Sequence, residues 1–170
     1  MKGWMKWLAA VIIGSVVVHV VAIWAAPRLI MSIVFDRTTA AANGANVFLH
    51  APRPSAASRA VVRPSPDLLY SICIADLGGG PIRVSVPVSE PYTSVSVFAD
   101  NTDNVFALND RETGGRPIEV VLARENQEVA GGTPVVRLPS DRAVVLVRRI
   151  IENDAHLARL EPIRQQDRCR

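Results

Sequence analysis

Three groups of side chains in this sequence can do chemistry, and each also has a plainer use. Asn109, Asp110 and Arg111 stand together in LNDRETGG. A carboxylate beside a guanidinium at a strand end can hold a polar ligand through charge-assisted hydrogen bonds. Tyr70 would join them if one end of a sandwich gathers those strands. The same residue types build turns with a local ion pair, and the segment's composition favours that use. DNTDN, Asp100 to Asn104, carries oxygen donors that a hard cation such as calcium accepts, but Asp and Asn are again the usual turn formers. His19, His50 and His156 are far apart in the chain, and Cys73 and Cys169 lack the spacing of a zinc site.

The catalytic signatures are missing. The sequence contains no G-x-S-x-G elbow, no H-E-x-x-H and no phosphate loop opening a helix. LGGGP has three glycines but joins two strands, so it reads as a turn. No cofactor or metal follows from these patterns, and a non-enzymatic role is expected.

The element that positions everything else is Trp7 to Ala26, WLAAVIIGSVVVHVVAIWAA, an apolar run without a formal charge. A hydrocarbon core about 30 Å thick needs roughly 20 helical residues to cross it, and Trp4, Trp7 and Trp24 mark the two ends as an aromatic belt does. We read residues 7–26 as one transmembrane helix, with an extension to 35 allowed, after a cytoplasmic flank of residues 1–6. Lys2 and Lys6 before the run outweigh Arg28 and Arg37, offset by Asp36, after it, which places the N-terminus in the cytoplasm. A cleaved signal peptide would need a shorter apolar region, and Pro27 would stand just after the best cut. His19 lies mid-span, where an ionisable side chain is a candidate for a proton path or a helix contact; a locally hydrogen-bonded neutral imidazole is the plainer reading.

Beyond the span the charge nearly cancels. Both lysines precede it, and 17 arginines face 16 acids after it, so the pI near 9.3 comes mostly from the short flank. Scattered arginines in a near-neutral exported part argue against nucleic acid. Pro27 is expected to break or kink the helix. Residues 36–66, rich in Ala, Pro, Ser and Thr, read as a linker that lets the domain stand off the bilayer, with Val47, Phe48 and Leu49 able to pack onto it.

Residues 67–170 then form one periplasmic β domain. LLYSICIAD, IRVSVPV, YTSVSVFAD, VFALN, IEVVLAR, PVVRLP and RAVVLVRRII are strand-like, several with alternation of apolar and polar residues, and turn chemistry separates them. Six or seven short strands predict a mainly β protein, an antiparallel sandwich with jelly-roll-like character. PVVRLP and RAVVLVRRII read as a closing pair. A short C-terminal helix follows, capped by Asn153 or Asp154 and limited by Pro162. Export puts Cys73 and Cys169 where disulfides persist, so a Cys73–Cys169 bridge is expected to pin the tail to the sheet.

These residues carry a resemblance. Asp67, Leu69, Tyr70, Ser71, Asp76, Leu77, Gly80 and Pro81 form a D-x-L-Y-S…D-L…G-P strand and turn. Tyr92, Ser94 and Ala99–Asp100 form a Tyr-x-Ser strand ending in Asp, and Thr113 to Gly115 a T-G-G turn. In this combination, from Pro66 to Gly115, the chain resembles the bacterial domain-of-unknown-function family 1254, in its short single-span form. The resemblance implies a mostly β fold and brings no catalytic residues. In the long exported members this domain precedes a second one, of family 1214, for which this chain has no room. Long members have Asn before the matching Asp where this chain has Pro66, so a ligand role at that turn is not carried over. The resulting expectation is an interaction module whose partners are the lipid bilayer and a separately encoded exported protein with the complementary domain. A small-molecule or glycan site, or an accessory hydrolase, at Tyr70, Asn109, Asp110 and Arg111 is the alternative.

Overall fold

The computed structural model describes residues 2–59 and 63–170; residues 60–62 of the expected linker lie outside them. A single helix, α1, runs from Lys2–Ala41 through Pro27 without interruption. Pro27 offers no N–H to the Ile23 carbonyl, and one residue on, the Arg28 guanidinium donates to the Trp24 carbonyl at 2.8 Å and lies over the Trp24 ring at 4.6 Å. The helix ends where Asn43 takes a positive φ of 57° and the Gly44 amide closes on the Thr39 carbonyl at 2.9 Å, a stop that favours Asn and Gly.

Among the described residues, nine strands build two sheets. One has the order β1 (Phe48–His50), β2 (Leu68–Asp76), β8 (Arg142–Ile150), β4 (Thr93–Phe98), β5 (Asn104–Asn109). The other has the order β7 (Val135–Leu138), β6 (Ile118–Arg124), β3 (Ile82–Val86), β9 (Arg168–Cys169). The mainly β sandwich is as expected. Its core lies between the sheets, where Cys73, Ala75, Val95, Val97, Val145 and Val147 of the first meet Val84, Val86, Val120 and Leu122 of the second. Two details differ from expectation. β7 and β8 do not pair, because Pro139–Ser140–Asp141 carries the chain from one sheet to the other, and β7 lies parallel to β6.

The expected linker over 36–66 is not a free tether. Its first residues finish α1, and Phe48–His50 pair antiparallel with β2 as an edge strand. Asn46 fastens this join: its side-chain oxygen accepts the Asp76 amide at 2.8 Å and its own amide donates to the Ile74 carbonyl at 2.8 Å. The far half of α1 lies on the outer face of the five-stranded sheet, with Met31 and Phe35 buried against Ile74 and Val144. Those outward positions of β2 and β8 are apolar because a helix covers them, so both strands are hydrophobic on both faces. Arg142 lies over the Phe35 ring at 4.8 Å and reaches Asp36 at 3.4 Å.

The short helix α2, Asp154–Arg164, is capped by the Asn153 side chain, which accepts the His156 amide at 2.9 Å. Leu160 buries against Leu69 and Ile151. Cys73 and Cys169 form a disulfide across 96 residues of sequence, which ties β9 to the interior of the first sheet.

Candidate functional site

The register places the expected site residues in one row. Tyr70 faces Arg148, Arg148 faces Ser94, and Ser94 faces Asn109 across the five-stranded sheet. Three strand spacings of about 4.8 Å separate Tyr70 from Asn109 by about 14 Å, so one row holds them without bringing them into contact. Their polar atoms are already engaged. The Tyr70 hydroxyl accepts the Ser65 amide at 3.1 Å. The Asn109 side-chain oxygen accepts the Arg111 and Glu112 amides at 3.0 and 3.2 Å, and its amide nitrogen donates to the Glu112 carboxylate. Asp110 accepts the Thr93 amide at 3.2 Å. Gly114 and Gly115, with φ of 64° and 77°, complete the turn in a conformation that side chains resist. Arg111 is exposed on that turn. DNTDN is a turn of the same kind, in which Asn101 accepts the Asp103 amide at 3.1 Å. Beside the Asn109 turn, Leu108, Thr113, Arg116, Pro117, Glu119 and Pro134 line a groove of about 530 Å³.

A denser polar cluster lies inside the sandwich. Arg149 takes an inward position of β8, after Ala143, Val145 and Val147, and its side chain is 1% exposed. Two guanidinium nitrogens donate to the two Asp167 carboxylate oxygens at 3.0 and 2.6 Å, and one also donates to the Pro87 carbonyl at 2.9 Å. Burial pushes the Asp167 carboxyl up from its ordinary range, and the Arg149 hydrogen bonds pull against that shift. His50, inward on β1, holds Nδ1 2.8 Å from the Ser71 hydroxyl. Burial pushes its pKa down, against the attraction of Asp167 and with the repulsion of Arg164 and Arg149. Arg164 donates to the Ala51 carbonyl at 2.6 Å and to Glu161 at 2.7 Å.

The chemistry of this cluster is fastening. A neutral imidazole beside a hydroxyl could act as a base, but Ser71 is 2% exposed, so its oxygen is closed to a substrate. Asp167 spends both oxygens on Arg149 instead of orienting the ring. A groove of about 330 Å³ opens beside Phe48, His50, Gln165, Asp167 and Cys169. Among the described residues no three His, Cys, Asp or Glu side chains converge as a metal would need. The sequence did carry a signal for this cluster: continuing the period-two pattern of β8 puts Arg149 on the buried face, where a charge requires a partner. His19 sits on the exposed face of α1, within a stretch of helix that touches no other element.

α1 is long and apolar enough to cross a membrane, with a mean hydropathy of 2.5 in its most apolar window. Curated proteins offer no match. Among solved structures, the VPA0106 protein of Vibrio parahaemolyticus is similar at 19% identity and a TM-score of 0.69, over 87% of this chain and 36% of that one. An uncharacterised protein from Burkholderia cenocepacia is similar at 20% identity and a TM-score of 0.46, over 78% of this chain and 37% of that one. The likeness to the Vibrio protein is one of fold, and the chain spans little more than a third of its length. The family model for proteins of unknown function DUF1254 matches residues 45–170, which is the whole β domain from the Asn46 clip to the last residue, and the chain belongs to that family.

Proposed function

We propose that this chain is a single-pass protein of a bacterial inner membrane, with its N-terminus in the cytoplasm and its β domain in the periplasm, where it serves as a docking module for a separately encoded exported protein. The observation that carries this reading is the division of the sandwich's surface: α1 covers the outer face of the five-stranded sheet, while the side that bears β7 and the groove beside Pro134 stays open. The helix supports the membrane part, and the flanking lysines support the orientation. The disulfide suits an oxidising compartment.

The contact surface suggested by the fold is the open side of the sandwich, where the groove between Leu108 and Pro134 adjoins β7 and its exposed Val135. The opposite layer is taken by α1. The alternative of a glycan or small-molecule site at Tyr70, Asn109, Asp110 and Arg111 has less support, since three of the four spend their polar groups on local structure. Crosslinking in intact cells followed by purification from solubilised membranes tests the proposal. A defined exported protein should be recovered with the wild type and lost with Val135→Arg; recovery of no exported protein in repeated trials would sink it.

A further inference from the structure

At the foot of the domain a cleft of about 450 Å³ opens between α1 and the sheet-end loops, within the size range of ligand pockets, roughly 300–1,000 Å³. Arg28, Ser32 and Phe35 form its helix side, and Asp100, Ser140 and Arg142 its loop side. Its height is set by the helix. The apolar run ends at Ala26, and at about 1.5 Å per residue Arg28 lies about 3 Å and Ser32 about 9 Å beyond that point. A bilayer's polar layer is about 5–8 Å thick on each side, and Trp24 marks its inner border. The cleft therefore opens at the outer edge of the headgroup layer, with Arg28 inside that layer and Ser32 just above it.

Its charges are arranged for a zwitterion. Each guanidinium has five N–H donors. Arg28 uses one on the Trp24 carbonyl, and Arg142 makes one long contact of 3.4 Å with Asp36. Both keep donors for a phosphate. The Asp100 carboxylate accepts no hydrogen bond among the described residues, while its amide donates to the Ser140 hydroxyl at 3.4 Å. Asp141, also on the rim, is paired with Arg124 at 2.9 Å. We infer that this cleft binds a phosphoethanolamine group, the phosphate between Arg28 and Arg142 and the ammonium against Asp100. A phospholipid headgroup is the source at hand, given the anchored reading on which the inference rests.

The full-length chain in nanodiscs mixing phosphatidylethanolamine with phosphatidylglycerol is the material for the test, with retained lipid counted by native mass spectrometry. The hydrogen bond and ring contact of Arg28 both lie within its own helix, so R28Q should fold; it should lower retention of both lipids by about tenfold, the scale of one charge-assisted contact. D100N should keep the lipid and erase the preference for ethanolamine. Wild-type retention and ratio in both variants would overturn the site. Displacement of the lipid by free phosphoethanolamine at equal concentration would support the cleft and assign it to a soluble phosphoester, overturning the lipid source. Extraction of the chain from native membranes by alkaline carbonate would overturn the anchored reading itself; a chain that resists extraction yet shows no effect of R28Q loses only the headgroup site.

Discussion

Asp167 and Arg149 are each buried almost completely and meet through two hydrogen bonds. Removing one partner leaves a charge in the core without compensation, which costs about 3–5 kcal/mol. Asp167→Ala should lower stability of the full chain in detergent by that amount in urea titration, and Arg149→Met combined with Asp167→Leu should restore most of it. His50 gives the pH dependence. Its folded pKa is pushed below 6.5, so the unfolded chain binds the proton more readily, and stability falls as pH drops through 6.5 towards the folded value. His50→Gln should flatten that part of the curve; an unchanged slope would assign it to another group. At this scale the sequence was only half readable. Asn109 and Asp110 could be read as turn formers from their neighbours, but the pairing of Arg149 with Asp167 depends on a C-terminal segment whose path no local pattern encodes.

Among the elements, α1 and β9 decide how the sandwich is held. Phe35 is 2% exposed between helix and sheet, and truncating a buried Phe costs about 3–5 kcal/mol. Phe35→Ala should loosen the helix from the sheet, seen as faster hydrogen exchange at β8 and new protease cleavage within residues 42–47. The disulfide acts on β9: reducing Cys73–Cys169, or Cys169→Ser, should cost about 2–5 kcal/mol, as for loops of this size, and should release the strand that directly follows Asp167 in sequence. Alternation of residue types made most strands legible, and the cysteine pairing followed from compartment and from there being two. The allowed extension of α1 beyond residue 26 runs further than 35, to Ala41, because Pro27 costs one intrahelical hydrogen bond while Met31 and Phe35 gain burial against the sheet. The Asn43–Gly44 stop was the better boundary signal. β2 offered another: Ile72 and Ile74 on the face opposite Cys73 and Ala75 already implied a cover on both sides.

In the whole molecule the two layers of the sandwich have different duties. The five-stranded sheet is roofed at one end by α1, and the four-stranded sheet turns Arg83, Glu119 and Arg137 outward at exposed positions. A companion chain would meet the second sheet or the open edge between β5 and β7, and charge reversal at Arg137 should weaken its recovery in the crosslinking experiment while lowering stability by about 1–3 kcal/mol, because its hydrogen bonds to the Arg124 and Gln127 carbonyls are lost.

Because α1 continues unbroken from the apolar run into the sheet's outer face, the domain has no swivel. A tethered domain of this size would sweep a hemisphere above the bilayer, and its encounters would be diluted through that volume. If α1 crosses a membrane as proposed, the helix fixes both height and bearing, so the exposed edge moves within a thin slab parallel to that membrane. For a second protein held at the same height, the search becomes two-dimensional and its effective concentration rises; for one at another height, no rearrangement of residues 36–59 short of undocking Phe35 brings it within reach.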